Sequence, residues 1–294
     1  MYEKYFHFTS KPFAMNPDPE FLYPSSQHAK ALTMLEYAIE SQAPFCLLTG
    51  EIGSGKTTLL RHFLRKLGDS ITVGLISNTH SQFRSVHPWA LSALGIAPEG
   101  DSEIAQYEAL IDFFVHEYAK KRRTLLVVDE AHNLTPSILE ELRLLSNVNS
   151  ERDLSLQVLL IGQPELRTKL EQPELKQFAQ RVSVDFHLGP LTRQDASAYV
   201  RHRLTVAGGD PSLFDAEAIA FVHKRAGGVP RLINQLCDLA LVYAFAEQRR
   251  MIDVQLLRHV LQDRKESGAI QLFGGRSATQ SKVSAAASLS SERG

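Results

Sequence analysis

Eight consecutive residues near the start of the chain place the strongest constraint on its fold. Residues 50–57 read Gly-Glu-Ile-Gly-Ser-Gly-Lys-Thr, a full match to the phosphate-binding loop pattern G-x-x-x-x-G-K-[ST]. An apolar run of strand length, 45–49, precedes this loop, and residues 58–67 after it carry apolar side chains at helical spacing. A strand, a glycine-rich loop and a helix in this order are the context that the motif needs. The pattern therefore predicts a polyphosphate site; the alternative is a chance glycine-rich turn.

The loop residues divide into predicted roles. Glycines let the backbone wrap closely around a polyphosphate because they have no Cβ to clash, and the amides of 52–57 can then point inward at the positive end of the helix. Lys56 would reach the β- and γ-phosphates, and the Thr57 hydroxyl would ligate Mg²⁺. The residues predicted to bind ATP through this loop are Gly50, Ile52, Gly53, Ser54, Gly55, Lys56, Thr57 and Thr58.

Composition excludes several classes of protein. The 294 residues are 44% hydrophobic and 22% charged, and the net charge of −1 gives no global signal for nucleic-acid binding. The two cysteines, Cys46 and Cys237, stand in apolar runs and are expected to be buried free thiols of a reducing compartment. The N-terminus lacks the apolar core of a signal peptide, and no stretch is long enough for a membrane span. We therefore expect a cytoplasmic protein, which could reach the inner membrane through a partner.

The first two thirds of the chain alternate between apolar runs and helical patterns. Residues 1–24 are rich in proline and aromatic residues and predict an extended arm, not a helix. Strands are predicted at 45–49, 71–77, 124–128, 156–161 and 182–186, and helices at 26–41, 58–67, 84–94, 102–120 and 135–147. Strands that are apolar throughout and alternate with helices predict an α/β fold with a parallel sheet covered on both faces.

The pattern changes after residue 190. Helices are predicted at 192–206, 215–226, 230–248 and 253–264, which makes an all-α unit. Residues 266–294 are rich in Ser, Ala and Gly, and we expect disorder there. The predicted organisation is an arm at 1–24, a nucleotide-binding domain at 25–190, a helical lid at 191–265 and a tail at 266–294.

A second motif completes the predicted site. The strand that contains Leu125-Leu-Val-Val ends in Asp129 and Glu130, and we expect it to lie beside the first strand. Asp129 would then lie near the metal, and Glu130 would polarise the water that attacks the γ-phosphate. Taken alone, two adjacent acids could equally be a helix cap or a solvated turn. Two arginines, Arg181 before the last strand and Arg231 at a helix start, could stabilise the charge of the transition state.

The order of these features resembles that of the AAA+ ATPases. This resemblance implies a P-loop sheet followed by a small helical lid, with ATP and Mg²⁺ as ligands. Gln163 would be the first sensor and would orient the attacking water, although many members carry Asn, Thr or Ser there. Arg231 would be the second sensor, and Arg181 a finger donated to a neighbouring subunit of a homo-oligomer. Asn78 would hold the catalytic glutamate in check.

Further segments resemble one branch of that family, the ExeA/GspA-like secretion ATPases and their relatives in pilus and exopolysaccharide systems. These segments are the Phe-x-x-Lys-Pro-Phe run ending at Phe13, Asn-Pro-Asp-Pro-Glu-Phe-Leu-Tyr, Val-Asp-Glu-Ala-His-Asn-Leu and Ile-Gly-Gln-Pro-Glu-Leu. The resemblance implies an ATPase that powers assembly of a bacterial envelope system through a protein partner. Long members continue into a membrane helix and a peptidoglycan-binding region. This sequence ends instead in a polar stretch, so by this resemblance it looks more like the short, cytoplasmic relatives.

Three points stay open at this stage. The aromatic residues Phe13 and Tyr23 of the arm could line an adenine pocket or could simply pack against the core. A nucleic-acid-associated ATPase, such as a transposition helper, shares the same core, and residues 191–265 hold 11 Lys/Arg against 8 Asp/Glu. A nucleotide-gated switch with slow turnover is the third class of function.

Overall fold

A computed structural model describes residues 1–16, 18–77, 84–98, 100, 102–148, 155–268 and 273. The chain divides into two compact units. One unit spans 17–189, and the other combines 1–16 with the segment that begins at residue 190. The residues of the predicted arm are therefore shared between the two units.

The described part of the α/β unit contains five strands, and their predicted positions are confirmed to within two residues. The strands are β1 Phe45–Gly50, β2 Ile71–Ile76, β3 Arg123–Val128, β4 Leu156–Gly162 and β5 Val182–Leu188. With α1 at Tyr2–Tyr5 in the other unit, the helices of this unit are α2 Ser26–Glu40, α3 Lys56–Lys66, α4 His87–Leu94, α5 Glu103–Ala119, α6 Pro136–Leu145, α7 Glu165–Leu170 and α8 Lys176–Ala179.

All five strands are parallel, in the order β2-β3-β4-β1-β5. The expectation that β3 lies beside β1 is wrong, because β4 lies between them. Phe45 of β1 pairs with Val158, and Leu126 of β3 pairs with the same Val158 from the other side. The three strands are almost equally apolar, so composition does not reveal their order; the crossover connections set it.

Each strand contributes side chains to both faces of the sheet. Phe45 and Leu47 join one hydrophobic core, whereas Cys46 and Leu48 join the core on the opposite face. This alternation follows from the period of two in a strand, and burial on both faces explains why the central strands β1, β3 and β4 are mostly apolar. Cys46 is a buried free thiol, as expected, and burial raises its pKa to about 12.

Helix ends in this unit follow local capping chemistry. Thr135 caps α6, with its hydroxyl accepting a hydrogen bond from the backbone N–H of Ile138 (3.4 Å), and Pro136 occupies the first helical position as predicted. The helix predicted at 84–94 begins instead at His87, since the Glu141 carboxylate accepts hydrogen bonds from Ser85 Oγ and Val86 N in a non-helical segment.

The second unit is helical. It contains α1 together with α9 Arg193–Val206, α10 Ala216–Ala226, α11 Pro230–Ala246 and α12 Val254–Glu266. The prediction that the arm contains no helix is wrong for 2–5, where Tyr2 is buried and its hydroxyl donates to Asp238 of α11. A four-residue turn of this kind depends on such packing more than on its own sequence.

A buried arginine fastens the beginning of the chain to this helical unit. Arg203 donates to the carbonyl oxygens of Pro12 (2.5 Å) and Ala14 (3.3 Å) and to the Tyr199 hydroxyl (3.0 Å), which in turn donates to Asn234. The ring of Phe13 is 1% exposed and contacts Phe214 at 5.9 Å between ring centroids. Of the two alternatives for Phe13, packing against the protein core therefore accounts for its position. The disorder expected for the tail lies outside the described residues from 269 onwards, apart from 273.

Candidate active site

The loop between β1 and α3 has the backbone that its glycines predict. Gly53 and Gly55 adopt φ of +79° and +101°, values that residues with a Cβ rarely adopt. A Cβ on Gly50 would lie 2.6 Å from the carbonyl oxygen of Leu188 on β5. The backbone conformation thus requires glycine at 53 and 55. The close approach of β5 requires it at 50.

The polar side chains of the loop point into it. Lys56 is 8% exposed and its ammonium donates to the carbonyl oxygens of Gly50 (2.6 Å) and Glu51 (3.1 Å). The Ser54 hydroxyl is buried and has no hydrogen-bond partner among the described residues. A buried cation and an unsatisfied hydroxyl in a glycine-rich concavity at a helix N-terminus are the groups that a phosphate would satisfy.

The structure adds a residue that the sequence reasoning missed. His28 of α2 is buried against the loop, and a Cβ on Gly55 would lie 2.8 Å from its Nε2 atom. Its Nδ1 atom lies 2.7 Å from the hydroxyl of Ser25, the residue that caps α2. The only sequence signal was the position of His28 three residues after the cap, which does not reveal that the ring contacts the phosphate loop.

Asp129 and Glu130 lie where β3 ends. Asp129 is 8% exposed and accepts a hydrogen bond from the backbone N–H of Glu130 (2.9 Å), whereas the Glu130 side chain is 47% exposed. Glu130 adopts φ of +55°, the left-handed conformation, and so turns the chain out of the sheet. One carboxylate is thereby buried at the strand end, and the next faces solvent.

Electrostatics distinguish the buried carboxylate. Burial raises the pKa of Asp129, and the Glu130 carboxylate raises it further, while the ammonium of Lys56 lowers it. Lys56 and Asp129 are thus close enough to interact, although Lys56 follows β1 and Asp129 follows β3, two strands that β4 separates. A divalent cation beside Asp129 would favour its ionised form. The hydroxyl of Thr57 and the carboxylate of Asp129 are oxygen donors of the kind that Mg²⁺ prefers, so these residues fit the predicted metal.

The predicted first sensor follows β4 directly. Gln163 is held by His132, a residue of the 3₁₀ turn Ala131–Asn133 after Glu130. The side-chain Nε2 of Gln163 lies 2.7 Å from the Nε2 of His132, and the backbone N–H of Gln163 donates to the Nδ1 of His132 (3.4 Å). The structure therefore brings the end of β4 to the end of β3. The role of Gln163 as a sensor stays a prediction.

Arg181 is half-buried and is bonded within its own chain. Its guanidinium donates to the carbonyl oxygen of Arg143 (3.1 Å), the hydroxyl of Ser146 (2.8 Å) and the side-chain oxygen of Asn147 (2.9 Å). These acceptors lie at the C-terminal end of α6, where the negative end of the helix dipole favours a cation. A finger role would require Arg181 to exchange these contacts for a phosphate of another subunit.

The sequence of the chain was compared with protein families and with known proteins, and both comparisons give a match. Residues 39–170 match the AAA domain family. Over 275 residues the chain is 38% identical to general secretion pathway protein A of Aeromonas hydrophila. The chain fits the ExeA/GspA-like branch of the AAA+ proteins. The match covers 92% of this chain and 50% of that relative, so this AAA+ chain spans about half the length of the curated relative that it matches.

Solved structures share the AAA+ fold. The Aeropyrum pernix ORC2 protein superimposes with a TM-score of 0.63 at 15% identity, over 87% of this chain and 72% of that one. Cdc6p from Pyrobaculum aerophilum gives a TM-score of 0.64 at 16% identity, over 86% of this chain and 70% of that one. The predicted fold class, a parallel P-loop sheet followed by a helical region, is confirmed.

Two residues with predicted roles are not among the described residues of the α/β unit. Arg231 is exposed in the first turn of α11, after Pro230, and belongs to the helical unit. Asn78 lies outside the described residues. Among the described residues, no helix is both long and apolar enough to cross a membrane, and no three His, Cys, Asp or Glu side chains cluster as metal ligands.

Proposed function

We propose that this protein binds MgATP and hydrolyses it to ADP and phosphate. The observation that carries the proposal is the phosphate loop, in which the buried Lys56 ammonium and the unsatisfied Ser54 hydroxyl face a glycine-rich turn, with Asp129 and Glu130 at the end of β3. ATP is favoured over GTP because the sequence contains no guanine-reading Asn-Lys-x-Asp pattern.

Each residue of the site then has a role in ATP binding or hydrolysis. The loop amides and Lys56 bind the phosphates, and Thr57 and Asp129 hold Mg²⁺, which neutralises charge on the phosphate oxygens when it is bound. Glu130 accepts a proton from the attacking water, and Gln163 orients that water. Arg231 and Arg181 supply positive charge, Arg231 from the helical unit and Arg181 from a neighbouring subunit. The roles of the loop residues, Asp129, Glu130 and Gln163 are supported by motif position and by the contacts described above, and those of Arg181 and Arg231 by motif position alone.

The biological role that we propose is assembly of a bacterial envelope system, such as a pilus, a secretion system or an exopolysaccharide exporter. Its support is the similarity to general secretion pathway protein A, of which this chain matches half. Nucleotide-dependent homo-oligomers would act from the cytoplasm on an envelope-assembly protein at the inner membrane. Hydrolysis would release contacts that ATP orders.

The specific rate of MgATP hydrolysis should rise with protein concentration. Sites completed by Arg181 of a neighbouring subunit are active only in the oligomer, so turnover per subunit should increase by about 10-fold or more across the association range, given the effect of an arginine finger. The rate is measured by phosphate release from nanomolar to micromolar protein, with oligomer mass in parallel. ATP binding without turnover at any concentration would contradict hydrolysis and favour the switch; stimulation by DNA that falls with salt would favour the nucleic-acid role.

Arg181→Ala should bind ATP nearly as well as the wild type and hydrolyse it at least about 100-fold more slowly, because a finger acts on the transition state. Mixing this variant with Glu130→Gln protein should restore part of the activity, since a Glu130→Gln subunit can donate Arg181 to an intact neighbouring site. Arg167→Ala is the matched control, because Arg167 forms an exposed ion pair with Asp185 in the same unit. No recovery in the mixture would count against a site shared between subunits.

A further inference from the structure

His132 occupies a position between the two groups assigned to activation of water. Its Nε2 atom lies 3.5 Å from the Oε2 of Glu130 and 2.7 Å from the side-chain Nε2 of Gln163. These partners come from the ends of two adjacent parallel strands, β3 and β4. The imidazole is therefore in contact with both the proposed base and the proposed sensor.

The His132 ring is held in this place from several sides. Lys169 of α7 donates to the carbonyl oxygens of His132 (2.6 Å) and Leu134 (2.5 Å), which fixes the 3₁₀ turn that carries the ring. Gly162 at the end of β4 leaves room for the turn, since a Cβ there would lie 3.2 Å from the backbone nitrogen of His132. The side chain of His132 is 14% exposed, against 47% for Glu130. The more exposed carboxylate is thus positioned against a nearly buried ring.

The hydrogen bonds fix which ring nitrogen carries hydrogen. The backbone N–H of Gln163 can only donate, so Nδ1 of His132 accepts there and the neutral ring carries its hydrogen on Nε2. The Nε2 atom lies 3.5 Å from the Glu130 carboxylate, and its N–H can donate to Gln163 when the amide presents its oxygen at the position, 2.7 Å away, that its nitrogen holds in the structure. Nε2 of His132 thus lies near both groups, so a displacement of Gln163 changes what is available to Glu130.

We infer that His132 is a positioning residue that couples Gln163 to Glu130, so that the base is oriented for water only when the end of β4 is in place. The inference rests on the proposed hydrolysis of ATP. His132 itself does not touch the reacting atoms in this assignment; it acts through the carboxylate of Glu130 and the amide of Gln163.

The test is steady-state ATP hydrolysis and equilibrium ATP binding by His132→Ala, His132→Gln, Gln163→Ala and the double variant His132→Ala/Gln163→Ala. We expect kcat of His132→Ala to fall by about 10- to 100-fold with the Kd for ATP changed by less than about 3-fold, because misplaced catalytic groups affect the transition state more than binding. His132→Gln, whose amide can donate near the position of Nε2, should recover part of kcat. The double variant should be no slower than the slower single variant, since coupled groups are not additive.

His116→Ala, on the exposed face of α5, is the control for loss of a histidine in the same unit. Wild-type kcat in His132→Ala, or additive losses in the double variant, would overturn the coupling while leaving ATP hydrolysis intact. A parallel loss of ATP binding and melting temperature in His132→Ala and His132→Gln alike would show a purely structural residue and would also overturn it. Absence of turnover in the wild type would instead refute the proposed function, and this inference with it.

Discussion

Replacement of Lys56 by alanine abolishes ATP binding, with an expected loss of affinity of at least about 100-fold, the scale for removing one partner of a buried charge pair. Lys56 is 8% exposed, and its ammonium lies at the centre of the loop on the Gly50 and Glu51 carbonyl oxygens. Removal takes away the cation that the proposed function assigns to the β- and γ-phosphates. Equilibrium binding of a fluorescent ATP analogue measures the effect.

The matched control for this substitution is Lys66→Ala on the same helix. Lys66 is exposed and pairs with Glu36 at 3.3 Å, so its loss should leave ATP affinity unchanged. Melting temperatures of both variants separate a binding defect from unfolding. A Lys56→Ala protein that stays folded and binds ATP like the wild type would refute the assignment of the loop.

Replacement of Glu130 by glutamine removes hydrolysis and preserves binding. The change keeps the shape of the side chain but removes the carboxylate that accepts a proton, so kcat should fall by about 10²- to 10⁴-fold, the usual contribution of a general base. The side chain is 47% exposed and follows β3 rather than belonging to the phosphate loop, so the Kd for ATP should stay within about 3-fold. Single-turnover hydrolysis and equilibrium ATP binding together measure the separation.

Glu140→Gln on α6 is the control for this second substitution, because Glu140 forms a partly exposed ion pair with Arg143 in the same unit. It should hydrolyse ATP at the wild-type rate. If Glu130→Gln also hydrolysed ATP at the wild-type rate, another group would have to activate the water. His132 could then not act on hydrolysis through Glu130.

Local sequence signals were enough for most of the secondary structure. The cap at Thr135 and the glycines at 53 and 55 act within a few residues, so the chain around them has few alternatives. The central strands were recognisable because burial on both faces leaves β1, β3 and β4 mostly apolar. The prediction of an extended arm was wrong at 2–5 because the helix there depends on distant residues of α11.

The candidate site could be predicted in part. Lys56, Thr57 and Asp129 stand in motifs whose spacing follows from the loop and the strand end. His28 could not be found in this way, since its contact with Gly55 joins α2 to the phosphate loop. His132 stood inside a quoted motif, yet its partner Gln163 is 31 residues away, at the end of another strand.

The residues alone determined a parallel sheet with a phosphate loop, because glycine conformations, apolar runs and caps are local properties of the chain. Only the tertiary structure decided that β4 separates β1 from β3, that Arg181 is bonded to the end of α6, and that one imidazole joins Glu130 to Gln163. The physical reason is that these contacts depend on crossover connections between strands of similar composition. Pattern along the chain carries little information on which of those strands become neighbours.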